Sequence, residues 1–172
     1  MKKPLLTALM VSLFAVGPAL ADTRYWAFDA ADRVTQALTR GITLQVQRGF
    51  FGAVRVETIH STTARGRAEI RRGGPDAAWR ALPEGARERA VYSIVTDQGD
   101  GRGLSRALCP GAEQAWLVMG RIQAGSPIRM HAVGLWLDGK YRPCVELNYN
   151  YRGEWASPPV DNTLPEPSPN AR

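Results

Sequence analysis

The chain has 172 residues, of which 44% are hydrophobic and 22% charged, with a formal net charge of +6. That length supports one domain with a real core. Its two histidines and two cysteines have no zinc spacing, and Asp97 and Asp100 do not complete a calcium loop, so neither a metal nor a cofactor is expected.

The first residues read as an export signal. Lys2 and Lys3 precede the largely apolar run Leu5 to Val16, which Gly17-Pro18 ends too early for a bilayer span of about 20 residues. Ala19-Leu20-Ala21 supplies a cleavage site after Ala21. Residues 22–172 are therefore expected in the periplasm or the medium of a bacterium, with no transmembrane segment after cleavage. Loss of the two lysines lowers the charge from +6 to +4 and leaves Lys140 as the only lysine. The arginine bias could serve bidentate anion contacts, but GC-rich codon usage is the plainer reading.

From Asp29 the pattern is helical: Asp29 can cap, Asp32 lies in the first turn, and Gly41 stops the helix after Arg40. The period then changes to two. Ile42, Leu44 and Val46 alternate with polar residues, Val54 and Val56 follow Gly49, and "RGRAEIRR" makes a third short run. Residues 73–89 hold three glycines and two prolines, which makes them a connection with one helical turn around Trp79. Strands resume at "RAVYSIV" and, beyond the loop "DQGDGRGLS", at "AWLVMGRI". Residues 156–172, with five prolines, read as a disordered tail. The expected fold is mainly β, an antiparallel β-sandwich or partly open barrel of about seven strands. It would span residues 22–155 as one domain with a short N-terminal helix.

Two and only two cysteines in an exported chain predict one disulfide, Cys109 to Cys144. The strongest local signal is Asp138-Gly139 between two alternating runs, which predicts a two-residue type I′ turn. Counting outward pairs Ala132 with Val145, Met130 with Leu147 and Ile128 with Tyr149 on an apolar face. The other face pairs His131 with Glu146 and Arg129 with Asn148. Pro143 lacks a donor, so it predicts an edge strand or a bulge. A bulge would shift the pairing beyond it by one residue and lose the His131–Glu146 contact, and the apolar pairings past that point argue against a shift.

Candidate chemistry concentrates on that polar half-face. A histidine beside a carboxylate can act as general base, so His131 and Glu146 are the weak catalytic candidates; an ordinary cross-strand pair is the plainer reading. Arg129, Asn148, Asn150 and Arg152 extend the face as binding candidates. Arg65, Arg67 and Arg71 would share another strand face, suited to an anionic glycan, a lipid head group or an acidic protein, or to a solvated edge that resists aggregation. No Ser-nucleophile motif or phosphate-binding loop is present, and nucleic acid is not an expected partner. The expected function is a non-catalytic binding or accessory module of the cell envelope, contacting a protein or an anionic polymer. The alternative is a hydrolase built on His131 and Glu146.

Overall fold

The computed structural model describes residues 22–49, 52–61, 66–97 and 100–156. The export signal, Arg65 and the tail from 157 onward lie outside these residues. Eight antiparallel strands follow one another around a closed barrel: β1 (Asp22–Ala30), β2 (Gly41–Arg48), β3 (Val54–Ser61), β4 (Arg67–Arg72), β5 (Ala90–Ile94), β6 (Gln114–Met119), β7 (Ile128–Leu135) and β8 (Tyr141–Trp155). Among the described residues three short helices interrupt them: α1 (Arg33–Leu38), α2 (Asp76–Arg80) and α3 (Gly101–Leu108). The fold is thus mainly β as the alternation predicts, but it is a closed barrel of eight strands rather than a sandwich or partly open barrel of about seven.

The extra strand is β1, whose last two residues, Asp29 and Ala30, fall in the stretch read as helical. Trp26 and Phe28 alternate into the interior, each 1% exposed. The helix starts later than Asp29. Asp32 is its N-cap, accepting from Thr35 N at 2.8 Å; Thr35 is buried and Val34 is exposed. Likewise "DGRGLS" forms most of α3 instead of a loop. Gly101 fits there because an added Cβ would lie 1.8 Å from the Val95 carbonyl oxygen.

Inward-facing side chains fill the barrel. Trp26, Phe28, Leu44, Leu117, Met119, Met130, Leu147 and Tyr149 are all buried, as expected for an eight-stranded barrel just wide enough for its own side chains. At one end α3 closes the barrel, with Leu104, Leu108 and Cys109 joining the core. The connections β2–β3, β4–β5 and β6–β7 surround the opposite end, here called the mouth. Outside the wall, α2 lays Ala78 over Val91, Trp116, Val118 and Val133, which covers the turn-proximal half of the β7 outer face.

The hairpin differs from expectation near its turn and agrees beyond it. Gly139 N donates to Trp136 O at 2.8 Å, Trp136 N donates to Lys140 O at 3.1 Å, and Gly139 has φ +73. Asp138 does not share a positive φ, so the loop is a type I turn with Gly139 in the left-handed bulge position rather than a two-residue I′ turn. The longer loop makes Leu135 face Tyr141 and Val133 face Pro143. One extra residue, Cys144, then bulges out, and Ala132–Val145, His131–Glu146, Arg129–Asn148 and Met130–Leu147 pair as counted. The two one-residue changes cancel. A second shift at Arg152 turns Trp155 to the outer surface, where it is 44% exposed, instead of keeping it on the apolar face of Tyr149.

The disulfide Cys109–Cys144 joins the end of α3 to the β8 bulge across 35 residues, with a Cα–Cα distance of 5.3 Å. It therefore anchors the barrel plug; the cover over the β7 face is α2. On the chain-entropy estimate, replacing both cysteines by alanine will lower unfolding stability by roughly 3–4 kcal/mol. Urea unfolding followed by tryptophan fluorescence measures this as a lower midpoint.

Candidate functional site

The polar half-face forms a connected network. On β8, Asn148 Nδ2 donates to Glu146 Oε1 at 3.1 Å and to Asp32 Oδ2 at 3.1 Å, and Asn148 N donates to Thr35 Oγ1 at 2.9 Å. Across the ladder, Arg129 Nε reaches Asn148 Oδ1 at 3.2 Å and Glu146 Oε1 at 3.3 Å. Asn148 thus serves first as the clasp between β8 and α1. The Thr35 backbone N–H holds the Asp32 carboxyl below its ordinary range; burial opposes this, and the Asn148 and Thr35 side chains reinforce it.

His131 lies beneath this network with 3% exposure. Its Nδ1 is 4.0 Å from Glu146 Oε2, while its Nε2 is 3.3 Å from Glu88 Oε2. The second approach does not close as a hydrogen bond, so Nε2 has no hydrogen-bond partner among the described residues. Glu88 is the partner that strand counting misses, because it lies in the connection before β5. Burial pushes its carboxyl upward most strongly. Its own backbone N–H, the charge of His131 and the Arg87 backbone N–H outweigh that and leave it lowered.

Arg152 stands apart from this network, reaching Asp29 at 3.4 Å and stacking on Trp155. Asn150 is exposed on the strand between them.

Three hollows run along the outer wall and over the mouth. The first, about 920 Å³, follows the seam between β3 and β4. These strands pair only over Thr58–Glu69, Ile59–Ala68 and His60–Arg67, and residues 54–57 and 70–72 are not paired with each other. Arg48, Arg55, Arg67, Arg71 and Arg72 line this hollow, with Glu57 and Glu69. The second, about 910 Å³, is the mouth itself, lined by Arg48, Arg72, Arg87, Arg89 and Arg121 above Trp26, Tyr92 and Met119. The third, about 340 Å³, lies against the polar face, lined by Arg121, Arg129, Asn148, Asn150 and Glu88. Adjacent hollows share residues: Arg48, Ala53, Val54 and Arg72 join the first to the second, and Met119 to Ile122 join the second to the third.

The sequence-predicted Arg67 and Arg71 therefore lie at one end of a continuous tract, and Arg129, Asn148 and Asn150 at the other. The five mouth arginines in the middle were missed. In an up-and-down barrel alternate connections meet at the same end, and four of the five lie at or within two residues of a strand end, with Arg87 three residues before β5. That signal is readable only once the strand count is right.

Comparison with protein-family models, curated proteins and solved structures finds no match to this chain.

Two measurements probe the framework of the site. Thr35→Val keeps the shape of a fully buried residue but removes the acceptor for Asn148 N. It will cost about 1–3 kcal/mol in chemical denaturation, the penalty of a buried unpaired N–H. His60 is half-buried, and burial, with Arg67 adding to it, lowers its pKa from 6.5. As pH falls through 6.5 the unfolded chain takes a proton that the folded chain refuses, so stability declines until the folded value is reached. His60→Gln will flatten this part of a Tm-versus-pH profile.

Proposed function

We propose that this protein is a non-catalytic binding module of an oxidising, extracytoplasmic compartment, holding an anionic polymer along its basic tract. The observation that supports this reading is the contiguity of the three hollows. Nine arginines line the tract (48, 55, 67, 71, 72, 87, 89, 121 and 129) against three glutamates (57, 69 and 88). Like charges gathered on one surface repel one another, and an extended polyanion relieves that repulsion along its whole length. Guanidinium groups suit this partner because their planar fork meets carboxylate and phosphate groups in pairs. The disulfide supports the compartment.

The alternative hydrolase reading draws its support from Glu88, which gives His131 a carboxylate on each side. A general base must reach the proton it removes, and His131 lines none of the three hollows. The binding reading is therefore preferred.

Calorimetric titration with long-chain polyphosphate and with a polyuronate tests it. The expected result is binding that weakens at least about tenfold between low and moderately high salt, since exposed charges are screened within about 10 Å at 0.1 M. His131→Gln should bind as the wild type does. Absence of binding at low salt, or equal binding of a neutral glucan, refutes the polymer reading; preference for an acidic protein over either polymer transfers the tract to a protein partner.

A further inference from the structure

We propose that the mouth of the barrel is a discrete pocket for a compact polyphosphate group, with the Trp26 indole N–H as its deepest donor. This rests on the anion-binding reading and specifies where, and by which chemistry, an anionic group enters the barrel. The five arginines of the mouth are not equivalent. Arg48 reaches Glu154 at 3.7 Å. Arg89 places Nη1 on the carbonyl oxygens of Ala86 and Glu88, at 2.9 and 2.6 Å, and stacks over Trp79. Arg72, Arg87 and Arg121 make no ion pair with any described carboxylate, and no described carboxylate lines the mouth. Three guanidiniums lining one hollow without a described counter-charge call for about three negative charges. A single carboxylate or sulfate supplies too few, whereas a di- or triphosphate supplies the charge with oxygen pairs that match the guanidinium fork.

The floor adds a second, independent observation. Trp26 lines the mouth, is 1% exposed, and its Nε1 is buried with no hydrogen-bond partner among the described residues. An indole N–H is a donor only, so an oxyanion reaching the floor satisfies it, and leaving it unpaired is costly. Below this level the barrel is packed, with Phe28, Leu117 and Met119 all at 1% exposure. The space is thus a cup at the mouth, matched to a head group rather than to a long apolar chain.

The test is isothermal titration of the oxidised protein with tripolyphosphate, pyrophosphate and monophosphate, with a parallel ¹H–¹⁵N spectrum of the tryptophan side chains. Tripolyphosphate should bind at least about a hundredfold more tightly than monophosphate, the gap expected when two or more charged hydrogen bonds are lost. The combined Arg72→Gln, Arg87→Gln and Arg121→Gln variant should lose that preference. Trp26→Phe should bind about tenfold more weakly, equivalent to one hydrogen bond to a charged group. If Trp26→Phe does not fold, the Trp26 indole resonance of the wild type should still move on adding tripolyphosphate. A stationary resonance, or tripolyphosphate binding that the triple variant retains, overturns the proposal. Polymer binding without tripolyphosphate binding overturns the pocket and leaves the tract standing; binding of neither overturns both. Vesicles containing phosphatidic acid separate the sources. Capture that tripolyphosphate displaces assigns the pocket to a membrane-borne phosphate, and no capture by a protein that binds tripolyphosphate assigns it to a free one.

Discussion

The barrel is closed by a single long strand with two partners. The first part of β8 pairs with β7, from Leu135–Tyr141 to Ile128–Tyr149, and the last part pairs with β1, from Ala30–Tyr149 to Tyr25–Trp155. Tyr149 belongs to both ladders, and its hydroxyl also meets Thr39 Oγ1 at 3.0 Å beside α1. Burial pushes the Tyr149 phenol well above its ordinary range; the Thr39 hydrogen bond opposes this and the Asp32 charge adds to it, so the ring stays neutral wherever the fold survives. Without that shared strand the outer wall would end in two edges, and the polar face and the mouth would lose their common frame.

β8 can serve both partners because it is irregular in two places. The Cys144 bulge compensates a turn that is one residue longer than Asp-Gly alone demands, and the same residue carries the bond to α3. The shift at Arg152 reverses which side chains face inward at the end of the strand. Glu154 then comes within 3.6 and 3.7 Å of Arg24 and Arg48, and Trp155 is released to the surface. A bulge re-aims every residue beyond it, so these two positions decide where the charged groups of β8 act.

Much of this was open to sequence reasoning and some was not. Alternation in 42–47, the distal register of the hairpin, the pairing of the only two cysteines and the helical turn at Trp79 all follow from local pattern. β1 escaped because "YWAFDA" is nearly continuous in apolar residues, and α3 because its glycines imitate a loop although Gly101 is there for want of space beside Val95. The bulges carry no composition signal; they are answers to closure, which is a property of the whole ring. For the same reason the polar face was found and the mouth was not. Arg129, His131, Glu146 and Asn148 are neighbours by counting along one hairpin, whereas Arg48, Arg72, Arg87, Arg89 and Arg121 come together only when three separate connections meet at one end.

β4 is held by three residue pairs to β3 and three to β5, against eight between β7 and β8. The stave with the shortest ladders is the one whose detachment costs least, and it forms one bank of the seam. A guest bridging Arg55 and Arg71 would favour the shut wall over the sprung one, so occupancy would act as a staple and slow amide exchange in 67–72.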